Sequence, residues 1–255
     1  MGEQMKLMDR IAAAVAAAAL AVTLVAAGLA ACCLPQTTQV LAEAFSGTED
    51  TATPFSHAQL VRAAAATRDY TVGSHDRAAV MGVVAAVNRD AGTAFADADE
   101  AALETAPDVY TLDAEALSHL DDVYGVVSTS FVALGVIALV ALAGCVFLGA
   151  RCGRRALGGV LALAGAAVVV MFALLAVWVC VDFNGFFAAF HSLFFADGSW
   201  TFSYDSLLIT MYPPAFWMGM GAVWLAVTGV LSILAIIVGG FLRRSGREHS
   251  VPKRS

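Results

Sequence analysis

The side chains best able to move protons near neutral pH are the histidines, at positions 57, 75, 119, 191 and 249. His119 has Asp122 three residues on, so a helix would carry both on one face. A carboxylate there is expected to hold the imidazole in one tautomer and raise its basicity. His191 lies in an aromatic stretch with Phe187, Phe190, Phe194 and Phe195, and Trp200 follows. An apolar surround disfavours imidazolium, which suits a neutral base or a donor. His57 and His75 stand near expected helix starts and read as surface residues, and His249 lies in a basic tail. Other chemistries lack their signatures. The sequence contains no HExxH metal motif, no GxSxG nucleophile elbow and no CxxC pair, so neither a metal nor a cofactor is expected.

The elements that must position these histidines follow from composition. The chain is 60% hydrophobic and only 14% charged, with a mean hydropathy of +0.77. Soluble domains carry roughly 25% charged residues, so lipid is the expected solvent. Four runs free of Asp, Glu, Lys, Arg and His reach the ~20 residues that a bilayer core requires. They are Ile11–Leu34, Val126–Ala150, Ala156–Val181 and Ala215–Leu242. Such continuous runs satisfy their backbone internally as helices, whereas barrel strands would alternate.

Charge sets the orientation. Lys6, Arg10, Arg151, Arg154, Arg155, Arg243, Arg244, Arg247, Lys253 and Arg254 flank span ends on one side. The segment Pro35–Gly125 carries four Arg against fifteen Asp or Glu, and Asp182–Pro214 has no Lys or Arg. Basic flanks stay in the cytoplasm, which places both termini inside and the acidic segments outside. That acidic exterior argues against nucleic-acid binding. Leu29-Ala30-Ala31-Cys32 has the form of a lipoprotein cleavage site, but the apolar run before it exceeds the ~7–15 residues of a signal core. An uncleaved first helix is the expectation.

The expected fold is therefore all-α, a four-transmembrane-helix bundle with an extracytoplasmic helical cap. Its parts are residues 1–34 (cytoplasmic N-terminus and first span), 35–125 (extracytoplasmic helical segment), 126–181 (second span, cytoplasmic loop, third span), 182–214 (aromatic loop) and 215–255 (fourth span and basic tail). Within the exterior segment, Pro35–Pro54 reads as loop. Helices are expected over His57–Thr67 after a Ser56 cap, from Ser74 or Asp76 to Asp90, over Asp97–Thr105, and from Asp113 into the second span. The third span is expected to overrun the bilayer into the Phe183–Phe194 stretch, whose rings serve either as an interfacial belt or as a grip on lipid. At ~1.5 Å per residue, His119 would stand about 10 Å above the core of the second span, near headgroup depth. Two histidines from distant segments would then share one interface.

Two sequence blocks resemble the lipoprotein intramolecular transacylase (Lit) family. Ser118-His119-Leu120-Asp121-Asp122-Val123 is similar to its "HMxDV" motif, with Leu120 in place of Met and Tyr124 where Lys usually follows. Phe190-His191-Ser192-Leu193-Phe194-Phe195, with Trp200, Leu207-Leu208-Ile209 and Pro213, resembles its second block. The resemblance runs from about Ala114 to Trp217. It implies a bacterial cell-membrane acyltransferase acting on diacylglyceryl lipoproteins. The sn-2 acyl chain would move to the α-amine of the same N-terminal Cys, leaving a lyso-form lipoprotein. It further implies His119 with Asp122 as base, His191 as acid or oxyanion donor, and Phe187, Phe190, Phe194, Phe195 and Trp200 as lipid-binding residues. A reversed division between the histidines stays open. So does a non-catalytic four-span sensor or assembly factor that binds through the acidic segment. A transporter fits poorly, because the spans carry no ionisable relay.

Overall fold

The computed structural model describes residues 6–49, 51–196 and 198–248, and the side chains of 246–248 lie outside that description. His249, Lys253 and Arg254 fall outside the described residues. Among those described the chain is helical throughout, with no strand. The helices are α1 (Leu7–Cys32), α2 (Pro35–Phe45), α3 (His57–Val72), α4 (Arg77–Ala91), α5 (Glu100–Glu104), α6 (Ala114–Val181), α7 (Phe183–Ser192), α8 (Leu207–Met211) and α9 (Pro214–Glu248). Three of them, α1, α6 and α9, are long and apolar enough to cross a membrane. A straight helix of 68 residues would measure about 100 Å. Instead α6 breaks at Gly153, whose φ of 78° and ψ of 176° are closed to residues with a Cβ. Gly153 thus splits the second apolar helix into two arms.

The chain divides into two compact units. The first comprises Met1–Ala30, Phe131–Phe183 and Trp224–Ser255. Its interior is made of small and branched side chains: Ala16, Ala17, Leu148 and Val160 form one cluster, so both arms of α6 meet α1 there. A Cβ on Gly158 would lie 2.5 Å from the carbonyl oxygen of Gly239, which shows how closely the second arm of α6 approaches α9. Such contacts hold helices together where lipid removes any hydrophobic drive. Leu139, Val170, Leu174, Ile237 and Phe241 are each more than 60% exposed on this unit, which is the surface of a protein solvated by acyl chains. Asp9 and Arg151 form an ion pair at 2.8 Å, joining the start of α1 to the end of α6's first arm.

The second unit comprises Ala31–Ser130 and Asn184–Val223. Its core gathers Leu60, Val84, Val87, Leu103, Leu112, Leu117, Leu207, Met211 and Phe216. Local sequence explains most of its helices. The Gln59 carboxamide oxygen accepts from the Ser56 backbone N–H at 2.8 Å and starts α3. The carboxylates of Asp76, Asp99 and Asp113 accept from Ala79, Ala102 and Ala116 at the starts of α4, α5 and α6.

Three elements differ from the sequence reading. Pro35–Pro54 is not all loop: Pro35 opens α2, where its missing N–H costs nothing, and Leu41 and Ala42 are buried. The aromatic stretch is a separate helix, α7, because the chain breaks at Asp182 after α6 ends at Val181. The one-turn helix α8 was not anticipated. It is built into the core by side chains and backbone from far away: Leu207 N–H donates to Asp108 O at 2.8 Å, Gly47 N–H to Thr210 O at 3.0 Å, and Ser46 Oγ to Met211 O at 2.7 Å.

Candidate active site

The N-terminal end of α6 turns Ala116, Leu117 and Leu120 into the core of the second unit, and this buried stripe carries His119 inward with it. His119 is only 8% exposed. On α7 the three- and four-residue spacing of Phe187, Phe190 and His191 puts their rings side by side. After α7 the chain curls back through hydrogen bonds from the Phe194 and Phe195 N–H groups to His191 O at 3.0 and 2.9 Å. Trp200 and Phe202 follow and close over the same place.

The structure brings His119 and His191 together, with ring centroids 6.3 Å apart and planes inclined by 32°. Phe195 lies edge-on to His119 at 4.9 Å, and Phe202 stands 5.5 Å from it. Phe187 and Trp200 flank His191 at 4.0 and 4.9 Å. Phe190 touches His191 edge-on at 5.7 Å and is partly exposed. Phe194 contacts Phe190 and Phe195 and turns its other side outward. Thus Phe187, Phe195 and Trp200 wall the histidine pair, while Phe190 and Phe194 form its outer rim. Phe202, not singled out as a site residue from sequence, belongs to the wall.

Hydrogen bonding distinguishes the two imidazoles. His191 Nδ1 lies 2.8 Å from the Phe187 carbonyl oxygen, one helical turn back. A carbonyl can only accept, so Nδ1 carries a proton, and in the neutral ring Nε2 carries the lone pair. His119 Nδ1 is buried and has no hydrogen-bond partner among the described residues. Asp122 is exposed and makes no hydrogen bond to His119 among the described residues. It acts on His119 only through space.

Electrostatics follow from this burial. Removal from water pushes the His119 imidazolium down to about 4, the positive charge that His191 would carry pushes the same way, and Asp122 opposes them. Burial also lowers His191, while its bond to the Phe187 carbonyl works against that shift. Both rings are therefore neutral at pH 7. Neutral rings in an apolar enclosure can accept one proton or donate one N–H, which is what proton transfer around an uncharged acyl group requires.

The remaining described histidines are elsewhere. His57 Nδ1 pairs with Ser46 O at 2.8 Å. His75 is not a plain surface residue: its ring stacks between Tyr70 at 4.5 Å and Tyr124 at 3.8 Å. Its Nδ1 meets Tyr70 O at 3.0 Å and its Nε2 stands 3.6 Å from Asp121, which also accepts from the Tyr70 hydroxyl. Burial and Asp121 together push the Tyr70 phenol up to about 12. No sequence spacing signals this cluster, because Tyr70 and His75 lie far along the chain from Asp121 and Tyr124. Among the described residues, no three of His, Cys, Asp and Glu gather in a metal-binding arrangement.

These features define a class: an integral membrane protein of helices with an uncharged histidine pair, one ring buried and one half-buried, in an aromatic enclosure. A family model described as lipoprotein intramolecular transacylase Lit matches residues 88–217, a span that holds both histidines and every walling aromatic. The chain belongs to the Lit family. The fold agrees. The in meso structure of the membrane integral lipoprotein intramolecular transacylase Lit from Bacillus cereus superposes with a TM-score of 0.68 at 16% identity, covering 94% of this chain and 98% of that one. Two variants of the same Bacillus cereus protein, with a histidine replaced by Arg or by Ala, each give a TM-score of 0.64. Their identities are 16% and 15%, and they cover 95% and 94% of this chain and 95% and 96% of theirs. No curated protein sequence matches the chain.

Proposed function

We propose that this protein transfers the sn-2 acyl chain of a lipoprotein's diacylglyceryl-Cys to the α-amine of that same residue, yielding the lyso-form. The observation that carries this reading is the neutral pair His119 and His191, 6.3 Å apart within the segment that matches the transacylase family. Amine and ester belong to one molecule, so positioning replaces an external donor and an enzyme nucleophile.

The hydrogen bonding supports roles exchanged from those that the sequence suggested. His191, with Nδ1–H held by the Phe187 carbonyl, offers Nε2 as the base. It takes a proton from the attacking amine as the C–N bond forms, and returns it to the glyceryl oxygen as the C–O bond breaks. His119, the more strongly depressed ring, remains neutral and donates an N–H to the oxygen that gains charge. Phe187, Phe195 and Trp200 exclude water, and Phe190 and Phe194 meet the acyl chains at the rim. Asp122 contributes a weak through-space bias on His119.

The architecture that serves this chemistry is a four-span bundle, with α6 counted as two spans across Gly153, and an extracytoplasmic helical segment over residues 35–125. Both termini are cytoplasmic. The Asp9–Arg151 ion pair supports this, since it keeps the basic start of α1 and the Gly153 turn at one end of their unit. His119 precedes Val126 by seven positions, a helical rise of about 10 Å that would set it near the depth of a lipoprotein's ester groups.

Mass spectrometry of lipoprotein N-termini tests the proposal, with expression in a bacterial host that makes diacyl lipoproteins. The wild-type chain should yield N-acylated lyso-forms, and the His119→Ala and His191→Ala proteins should not. Unchanged N-termini in the presence of well-expressed wild-type protein would refute it and favour a binding role for the acidic exterior segment.

A further inference from the structure

We propose that Trp200 is a catalytic residue, its indole N–H donating a hydrogen bond to the ester carbonyl oxygen as that oxygen becomes an oxyanion. The inference rests on the transacylase reading and assigns a polar role to a side chain otherwise counted among the apolar walls.

Three observations lead there. Trp200 Nε1 is shielded from solvent and has no hydrogen-bond partner among the described residues. Buried indole N–H groups ordinarily find an acceptor. Trp224 behaves that way in this protein, donating from Nε1 to Val25 O at 3.0 Å. The unpartnered indole also stands beside the proton-transferring ring: Trp200 and His191 have centroids 4.9 Å apart and planes inclined by 31°. Finally, a second buried nitrogen without a partner, His119 Nδ1, flanks His191 on a ring 6.3 Å away. His191, whose tautomer the Phe187 carbonyl fixes, thus has its ring beside two rings that each carry a nitrogen without a partner among the described residues.

Groups left unsatisfied in the resting protein are suited to a charge that exists only during reaction. The amine nitrogen attacks the ester carbonyl carbon, a C–N bond forms, and the carbonyl π electrons move to oxygen. His191 Nε2 takes the amine proton. The oxyanion accepts hydrogen bonds from Trp200 Nε1–H and from His119, neither of which gives up its proton. Collapse breaks the bond from carbon to the glyceryl oxygen, which takes the proton from His191. Nothing outside the substrate is consumed.

The test replaces Trp200 by Phe and, separately, by 3-benzothienylalanine, which keeps the bicyclic shape and lacks the N–H. The purified full-length proteins act on a synthetic diacylglyceryl-Cys lipopeptide in detergent, with N-acylated lyso-product quantified by mass spectrometry. Both replacements should lower kcat by about 10²–10³-fold, the scale of one lost oxyanion donor, with KM within about 3-fold of wild type. A benzothienylalanine protein with wild-type kcat would overturn the assignment while leaving the transacylase reading intact, whatever the Phe variant does. A wild-type protein inactive on the lipopeptide would instead sink the transacylase reading, and the role of Trp200 with it.

Discussion

Two histidines lie on or against the same end of α6 in opposite chemical situations. His119 points into an aromatic enclosure, and its buried Nδ1 has no partner among the described residues. His75 meets α6 at Asp121 and Tyr124, which lie on a different face from His119, since two residues along a helix turn roughly 200°. Both nitrogens of His75 have neighbours, and its ring is sandwiched between two phenols. The backbone pays toward this arrangement, since His75 adopts a φ of 55°. The lesson is that a satisfied histidine consolidates a fold, whereas a buried one lacking partners is held ready for a ligand. His119 is the more buried of the two, and the hydrogen-bond inventory separates them further.

The widest separation between the two settings should come from His191→Ala and His119→Ala. His191→Ala should lower lyso-lipoprotein formation by about 10²–10⁴-fold in the lipopeptide assay, the usual span for a lost proton-transfer group, and His119→Ala by about 10²–10³-fold, the scale of a lost oxyanion donor. His75→Ala should leave the rate within about 3-fold. Its effect should appear in thermal melting, as a loss of roughly 1–2 kcal/mol from two aromatic stacks, because its partly exposed pairing with Asp121 adds little. If His75→Ala abolished activity as His191→Ala does, the contrast would collapse.

A smaller effect follows from pH. His119 is held down to about 4 in the folded protein, against about 6.5 for an ordinary unfolded histidine. Between those values the unfolded chain binds the extra proton. The contribution is therefore fully present above pH 6.5 and is lost as pH falls toward 4, with a slope of at most about 1.4 kcal/mol per pH unit. Melting curves recorded from pH 7 to 4.5 should show a flatter decline for His119→Gln than for wild type. An identical slope would mean that His119 is not buried as a neutral ring.

The smallest effect is assigned to Asp122→Asn, which removes only a through-space influence. Its rate should fall less than about 3-fold. A drop comparable to His119→Ala would restore the hydrogen-bonded pair that the sequence alone suggests.

Much of this protein is written in local patterns. Apolar runs longer than a bilayer core depend on composition alone, so α1, both arms of α6 and α9 were legible without coordinates. Caps by Ser56, Asp76 and Asp113 act over three residues, so the starts of α3, α4 and α6 were legible too. The helix α8 was not: its hydrogen bonds run to Asp108, Gly47 and Ser46, and no local pattern can report acceptors and donors a hundred residues away. The sequence by itself determined a membrane-embedded helical protein and the two motif blocks that carry His119 and His191. Only the tertiary structure decided that their rings meet at 6.3 Å, that Asp122 makes no hydrogen bond to His119, and that Trp200 Nε1 has no acceptor among the described residues. Helix formation and apolar burial are governed by near neighbours and solvent. The partners of a buried polar atom are set by which distant segments pack around it.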